Sequence, residues 1–365
     1  MVDSNFSTAS ALRRHYQDII LPIWRDAGFN QNVGLAYESV AADGKTPLPP
    51  VRYRAMACAR QLFVFSLAQE WQHADALFAS LRHYFQDKQH GGWFYSVDAD
   101  GKPKERQKDL YTHAFVIFAC AEYARHPHEK QAQQALALLE ETSALIESNM
   151  VDGTLFSSAM AEDFSCKISG PTQNPLMHLT EAWLAAAATT SQAIFARRLD
   201  KLVSAFAGTF VDEATGCIVE LPLNSDNNWI EPGHQFEWLF LVESSQHPAF
   251  EKAGMQQALY RAFDFVRRTG VDAQTGGVAA ALNLRGKLTD STQRIWAQSE
   301  YLRALAYHRE AIVRAELPLQ IARFGARFLT ASGWIESQTI DGKIVRAELP
   351  STTAYHLATA YATLS

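Results

Sequence analysis

Apolar residues recur every three to four positions along most of the chain, which is the spacing of the buried face of an amphipathic helix. The pattern predicts twelve helices, at positions 8–27, 51–70, 72–87, 109–126, 128–148, 174–189, 191–209, 232–246, 249–269, 291–308, 310–330 and 350–364. Asn174 followed by Pro175 indicates a helix start, because an N-cap acceptor and a proline at the first helical position both suit that end. Pro318 lies within the eleventh of these helices, so it either kinks that helix or moves its start.

Short β-prone stretches with glycine turns separate the helix pairs. They lie at 93–102, 278–287 and 334–343, and the first and last contain Asp-Gly, the dipeptide favoured in two-residue hairpin turns. One repeating unit is therefore an outer helix, an inner helix and a connecting ribbon. Six such units in 365 residues give about 61 residues each, which indicates a repeat architecture.

Polar residues on the even-numbered helices recur in phase with this repeat. They are Arg60, His113, His178, His234, Trp296 with Glu300, and His356, at steps of 53, 65, 56, 62 and 60 residues when Trp296 is used. Twelve helices in two concentric rings would bring these residues to one end of the inner ring. We therefore predict an all-α fold, an (α/α)6 barrel of twelve helices with short β-ribbons in its loops. No linker interrupts the composition, so residues 1–365 are predicted to form one domain.

Two H-x-x-E motifs and one Tyr-His pair could carry chemistry. His178 with Glu181 and His234 with Glu237 are each spaced so that both side chains share one helical face, and His356 follows Tyr355. Each histidine lies near a predicted helix N-terminus, where the dipole disfavours imidazolium and lowers the pKa. A neutral imidazole can then act as a base, and a nearby carboxylate would fix its tautomer while raising its pKa again.

Arg60 and Trp296 are further candidates. Arg60 stands in an otherwise apolar helix, so it is either paired with a carboxylate or meets a polar ligand. Trp296, four residues before Glu300, is the best candidate for stacking on a sugar ring. A metal site is the rival interpretation, because His and Glu from several helices can hold transition metals. The chain has no H-E-x-x-H motif, so we predict neither metal nor cofactor.

Composition excludes several classes of protein. The net charge is −6 and basic residues are not clustered, so a nucleic acid partner is not expected. No run of about 18 apolar residues occurs, so no membrane span is expected. Four dispersed cysteines without a C-x-x-C pair, and a polar start without an apolar core, favour reduced thiols and a cytoplasmic location.

The motifs together resemble the N-acylglucosamine 2-epimerase superfamily, over nearly the whole chain. The most specific marks are Pro232-Gly-His-Gln-Phe-Glu-Trp238 and Tyr355-His356, and Asn174-Pro-Leu-Met-His-Leu-Thr-Glu-Ala-Trp183 is another. The resemblance implies an (α/α)6 barrel without metal, in which His234 and His356 form the acid/base pair and Arg60 contacts sugar oxygens. The positions expected to bind substrate are Tyr111, His113, Asn174, His178, Glu181, Glu237, Trp296 and Glu300.

Ser351 indicates which branch of the superfamily the chain resembles. Cellobiose epimerases carry a tryptophan five residues before the final histidine, and this chain has serine there, so it resembles the mannose isomerases. The expected reaction interconverts D-mannose and D-fructose, with D-lyxose and D-xylulose as a further pair, through a cis-enediolate. The partner is then a small monosaccharide, and the protein is a monomer or small homo-oligomer.

Three other functions stay open from the sequence. A sugar 2-epimerase needs a second proton-transfer group on the opposite face of C2, and the chain offers two histidines. An (α/α)6 glycoside hydrolase needs two carboxylates, which Glu181, Glu237 and Glu300 could supply. A non-catalytic partner protein would need no catalytic set at all.

Overall fold

All twelve predicted helical segments form in the computed structural model, which describes residues 6–364. The helices are α1 (Ala9–His15), α2 (Leu21–Arg25), α3 (Ala55–Leu67), α4 (Trp71–Ser80), α5 (Leu110–Tyr123), α6 (Glu129–Asn149), α7 (Gln173–Thr190), α8 (Ala193–Phe210), α9 (Pro232–Ser245), α10 (Pro248–Lys252), α11 (Met255–Gly270), α12 (Ile295–Tyr307), α13 (Ala311–Arg314), α14 (Leu317–Phe328) and α15 (Thr353–Thr363). A π-helical turn, Tyr16–Ile20, joins α1 to α2, and a second, Leu81–Phe85, extends α4. The predicted all-α class is confirmed.

Several boundaries differ from the sequence prediction. The second and tenth predicted helices, which are α3 and α12 in the structure, begin at Ala55 and Ile295, because the residues before each form a short strand. Pro318 moves a helix start: α13 ends at Arg314, and α14 begins one residue before the proline, in the first turn that tolerates it. The sixth predicted helix, α7, begins at Gln173, one residue before Asn174, with Thr172 in the N-cap position.

Twenty short strands form the connecting ribbons in the described residues. They are β1 (Phe29–Asn30), β2 (Leu35–Ala36), β3 (Ser39–Val40), β4 (Tyr53–Arg54), β5 (Ser96–Val97), β6 (Pro103–Glu105), β7 (Lys108–Asp109), β8 (Val151–Asp152), β9 (Leu155–Phe156), β10 (Ala159–Met160), β11 (Lys167–Ser169), β12 (Trp229–Ile230), β13 (Ala281–Asn283), β14 (Leu288–Asp290), β15 (Gln293–Arg294), β16 (Leu329–Thr330), β17 (Gly333–Trp334), β18 (Ser337–Gln338), β19 (Ile344–Arg346) and β20 (Leu349–Pro350). They pair as antiparallel sheets of two or three strands, in the orders β1-β2, β4-β5-β6, β11-β10-β7, β8-β9, β12-β13-β14, β15-β18-β19, β16-β17 and β20-β3. The Asp-Gly dipeptides lie in longer loops, 98–102 and 339–343, rather than in the predicted two-residue turns.

The chain divides into two compact units. The first contains the residues up to Ala27, Ser39–Pro47 and the residues from Ala207 onward, and the second contains Gly28–Glu38 and Leu48–Phe206. In the first unit α12 packs against α9 and α15, and α9 packs against α11. In the second, α5 packs against α3, α6 and α7. One domain over residues 1–365 stays a prediction.

The helices that pack in the middle of each unit are buried on nearly every side. In α5 and α9 almost all residues are buried, whereas the outer helix α11 buries one face and exposes the other. Polar side chains on such inner helices must find partners or a ligand, because an unpaired buried polar group is costly. No helix in the described part of the chain has the length and apolar character needed to cross a membrane.

Candidate active site

Two histidines and a tryptophan come together at the starts of three helices in the first unit. His234 is the third residue of α9, Trp296 the second of α12 and His356 the fourth of α15. The ring centroid of Trp296 lies 5.1 Å from that of His234 and 5.6 Å from that of His356, with a tilt of 35° in each case. The indole is partly exposed while both imidazoles are buried. We call this group, with the carboxylates that hold it, the histidine cluster.

Glu220 holds His234. The Nδ1 atom lies 2.8 Å from Glu220 Oε1 and 3.9 Å from Glu231 Oε2. Burial by itself lowers the pKa of this imidazole, but the charges of its carboxylate neighbours, Glu220 first and then Glu231 and Glu237, raise the pKa to about 9. The expected raising of the pKa by a nearby carboxylate is confirmed for His234, and the expected neutral imidazole is wrong. The ring is cationic at neutral pH and can donate a proton.

The two H-x-x-E motifs behave differently. His178 does pair with Glu181, with 3.1 Å between Nδ1 and Oε2. At His234 the hydrogen-bonded carboxylate belongs to Glu220, which lies in the ribbon before the helix. Glu237, one turn further along α9, instead has a carboxylate oxygen within 4.8 Å of ligand atoms of Glu300 and His356.

His356 is held by a buried carboxylate that also pairs with an arginine. Its Nδ1 lies 3.0 Å from Glu300 Oε1, and Glu300 Oε2 accepts a hydrogen bond of 2.8 Å from Arg303 Nη1. The carboxylate is fully buried, and the guanidinium lies 3.7 Å from the ring centroid of Phe240. Two groups therefore reach this carboxylate, and as the acceptor it fixes the His356 tautomer with hydrogen on Nδ1.

A second group of predicted residues meets in the second unit, and we call it the arginine cluster. Arg60 Nη2 donates a 2.7 Å hydrogen bond to the Tyr111 hydroxyl, and its guanidinium lies 4.1 Å from the ring centroid of Phe115. The His178 ring lies 4.9 Å from Tyr111 and 4.8 Å from Phe115. Arg60 is buried, so an aromatic face and a phenol replace part of its lost hydration.

Asn174 lies in the first turn of α7, the helix that also carries His178. It is the second residue of the helix and precedes His178 by four positions, so both lie on one face. The side-chain oxygen of Asn174 is buried and accepts no hydrogen bond from the described residues. Such an atom suits a hydroxyl donor on a ligand.

Both ring nitrogens of His113 contact the backbone. Its Nδ1 donates to the Asp109 carbonyl at 2.7 Å, and its Nε2 accepts from the Trp93 backbone N–H at 3.2 Å. Burial lowers the pKa of His113 to about 4, so the ring stays neutral. Gly92 packs on the ring so closely that a Cβ there would lie 2.6 Å from Nε2. Both ring nitrogens are used by the backbone, and we do not carry His113 into the proposed sugar site.

Sequence reasoning missed Glu220 and Glu231 of the histidine cluster, and it missed Arg303, which pairs with Glu300. Arg303 stands three residues after Glu300, and the spacing rule used for H-x-x-E would have found it. Glu220 has no such signal, because it lies in an irregular ribbon. That ribbon is fixed by Gln235, whose amide bonds both the N–H and the C=O of Ile218 at 2.8 Å.

Two groups in the first unit have the residue types of a metal site. Among the described residues, ligand atoms lie within 4.8 Å of one another in the sets Glu220, Glu231, His234 and Glu237, Glu300, His356. In both sets the histidine Nδ1 already faces a carboxylate, as in an oriented acid/base pair. Metal independence stays a prediction.

Comparison with known proteins identifies the family of this chain and supports its fold class. Residues 34–360 match the family model described as N-acylglucosamine 2-epimerase (GlcNAc 2-epimerase). The chain is 26% identical to a mannose-6-phosphate isomerase of Rhizobium meliloti, over 96% of this chain and 94% of that protein. The solved cellobiose 2-epimerase of Bacillus thermoamylovorans superposes with a TM-score of 0.84 at 21% identity, covering 97% of this chain and 98% of the other. A solved D-mannose isomerase gives 0.82 at 18% identity, covering 98% and 97%. These likenesses confirm the predicted (α/α)6 barrel class.

Proposed function

The chain belongs to the N-acylglucosamine 2-epimerase family and is a sugar isomerase or epimerase. From that premise we propose that it is a metal-independent aldose–ketose isomerase that interconverts D-mannose and D-fructose, with D-lyxose and D-xylulose as a second pair. The observation that supports this proposal is the histidine cluster: two buried imidazoles, each with Nδ1 on a carboxylate, beside one partly exposed indole.

The two histidines divide the proton transfers because their surroundings differ. His234 is the acid, since its pKa of about 9 keeps it protonated at neutral pH. His356 is the base, since Glu300 fixes hydrogen on Nδ1 and leaves Nε2 as the nitrogen that can take a proton. Trp296, beside both rings, provides a flat apolar surface for the sugar carbons.

The proton balance of the reaction follows from these roles. Ring opening needs a proton on the ring oxygen, which His234 supplies, and the proton lost from O1 passes to His234 and makes it cationic again. His356 then removes the proton from C2, the C1–C2 double bond forms, and His234 protonates O1 as the aldehyde electrons reach it. His356 returns its proton to C1 while O2 gives its proton to His234, which yields the ketose and restores both imidazoles. An acid/base pair of this kind contributes about 10²–10⁴ in rate.

The charges of the histidine cluster favour an unphosphorylated sugar. Four carboxylates, those of Glu220, Glu231, Glu237 and Glu300, surround the two imidazoles, and Arg303 is already bound to one of them. A phosphate dianion would meet repulsion from this charge. We therefore propose the free aldose as substrate, although the relative from Rhizobium meliloti bears the name mannose-6-phosphate isomerase.

A sugar 2-epimerase is the second candidate, and the presence of two histidines beside one indole favours it. If His234 returned the proton to C2 from the opposite face, the product would be the epimeric aldose. Ser351, fully buried just before α15, occupies the position where the cellobiose enzymes carry a tryptophan, so a disaccharide is not proposed.

One experiment separates these activities. The protein is incubated with D-mannose, and separately with D-mannose 6-phosphate, in deuterated water, and the products are followed by NMR. Fructose as the product, with a proton or a deuteron at C1, supports the isomerase, and glucose as the main product supports the epimerase. Turnover of the phosphate ester alone would contradict the argument from charge, and no turnover of any aldose would overturn the proposal.

Arg60 and the rest of the arginine cluster enter as proposed sugar contacts. The resemblance gives Arg60 contact with sugar oxygens, and its hydrogen bond to Tyr111 already orients the guanidinium. We expect R60M to raise KM and lower kcat for D-mannose, with the melting temperature used to exclude misfolding. A KM and kcat equal to those of the wild type would remove Arg60 from the site.

A further inference from the structure

Glu336 is a buried carboxyl group that the proposed mechanism does not use. It follows β17 in the ribbon that leads to α15, and only 8% of it is exposed. Its Oε2 accepts hydrogen bonds from Trp334 Nε1 at 2.9 Å and from Thr353 Oγ1 at 2.8 Å. Its backbone carbonyl accepts from the Ile295 N–H at 3.0 Å. Glu336 therefore touches the first residues of α12 and α15, which carry Trp296 and His356.

The spacing of Thr353 and His356 on α15 shows that Glu336 lies on the His356 side of this helix. Thr353 and His356 are three residues apart in one helix, so their side chains lie on the same face. The Thr353 hydroxyl on that face is bound to Glu336. Ile295, the other contact, immediately precedes Trp296. Glu336 thus lies beside the histidine cluster.

The repeat places Glu220 and Glu336 at equivalent positions in two of the connecting ribbons. Ile218 and Trp334 each pair with a strand partner at the start of a ribbon, and Glu220 and Glu336 each stand two residues later. Glu220 reaches the first turn of α9 and Glu336 the first turn of α15. The ribbon between them has Ala280 at the matching position. A carboxylate in this place is therefore directed at the start of the next inner helix, where the proposed catalytic histidines lie.

The two oxygens of Glu336 differ in their contacts. Both hydrogen bonds from the protein reach Oε2, and Oε1 accepts none from the described residues. Oε1 therefore keeps its acceptor sites for a ligand, and a sugar hydroxyl is a suitable partner. Burial raises the pKa of Glu336, against the hydrogen bonds from Trp334 and Thr353. A sugar hydroxyl suits either protonation state, because it both donates and accepts.

This inference rests on the proposed function. We propose that Glu336 is a substrate-binding residue and that its Oε1 hydrogen-bonds one hydroxyl of the aldose, which is held beside Trp296 and His356. The contact would be made to one particular hydroxyl, so it would help to determine which aldose is accepted. Glu336 takes no proton from carbon in this scheme, and its loss should act mainly on KM.

The test compares E336A and E336Q with wild type on D-mannose and on its 3-deoxy, 4-deoxy and 6-deoxy analogues. We expect E336A to lower kcat/KM for D-mannose about tenfold, the size of one lost hydrogen bond to a buried group, with kcat within about threefold. E336Q keeps an acceptor for Trp334 and Thr353 and should lose less. For both variants the loss should disappear with the one deoxy sugar that lacks the partner hydroxyl.

T353V is the matched control, because it removes a donor to Oε2 and leaves Oε1 in place. Its effect should be the same on all four sugars. Equal losses on all four sugars in the Glu336 variants, or no loss at all, would overturn the assignment of Glu336. If E336A does not fold, the comparison of the four sugars is made with E336Q alone. A wild type that turns over no aldose would instead overturn the proposed function, so the two failures are distinguishable.

Discussion

The charge on Glu220 should set the upper pH limit of activity, and E220Q removes that charge while keeping the shape of the side chain. The pKa of His234 is raised from 6.5 to about 9, which corresponds to about 3 kcal/mol of preference for the cation. If the variant returns the pKa to near 6.5, the protonated fraction at pH 8 falls from about 90% to about 3%. Activity at pH 8 should therefore fall about 30-fold, with a smaller loss at pH 6.

The assay is the pH profile of kcat/KM, supported by NMR titration of the His234 ring. The wild type should lose activity as the pH rises through about 9, and E220Q should lose it at a clearly lower pH. E231Q is a graded comparison, because that carboxylate lies 3.9 Å from Nδ1 rather than 2.8 Å and should shift the limit less. E251Q, at an exposed position on α10, should leave the profile unchanged. An upper limit that stays in place in E220Q would refute the assignment of His234 as the acid.

The same pair contributes to stability with a defined sign. The pKa of His234 in the folded protein lies above the unfolded value, so the pair stabilises the fold fully below about pH 6.5, and the contribution is lost as the pH rises through about 9. The melting temperature of the wild type should therefore approach that of E220Q above pH 9. A difference between the two proteins that grows with pH would contradict this linkage.

Three further predictions concern the base, the metal and a packing contact. H356A should remain folded and lose turnover by at least about 10²-fold, together with solvent exchange at C2 of D-mannose, and near-normal exchange would remove His356 from the mechanism. Activity should survive extended chelation, and a loss restored by one divalent ion would show that a cluster such as Glu237, Glu300 and His356 holds a metal. G92A should lower the free energy of unfolding by about 1–3 kcal/mol more than G153A does, as measured by denaturant titration. Both glycines have positive φ, but only at Gly92 would a Cβ meet a side chain, the His113 ring at 2.6 Å. Equal losses in the two variants would contradict that contact.

The helices and the phase of the site residues could be predicted from the sequence because both depend on local spacing. A buried face requires an apolar residue every three to four positions whatever surrounds it, so all twelve segments were predicted. The repeat of about 61 residues likewise placed His234, Trp296 and His356 at equivalent points near helix starts, and these three meet in the first unit. The boundaries were less accurate, because short strands such as β15 compete for the same residues.

Only the tertiary structure decided which partner each polar side chain takes. His178 and His234 stand in the same H-x-x-E motif, yet the first pairs with its own Glu181 and the second with Glu220 from a ribbon. His113 was in phase with the others, but the Trp93 turn occupies its second nitrogen. Hydrogen bonding and charge act over about 3–4 Å between atoms that packing brings together, and sequence spacing determines such distances only within a single helix.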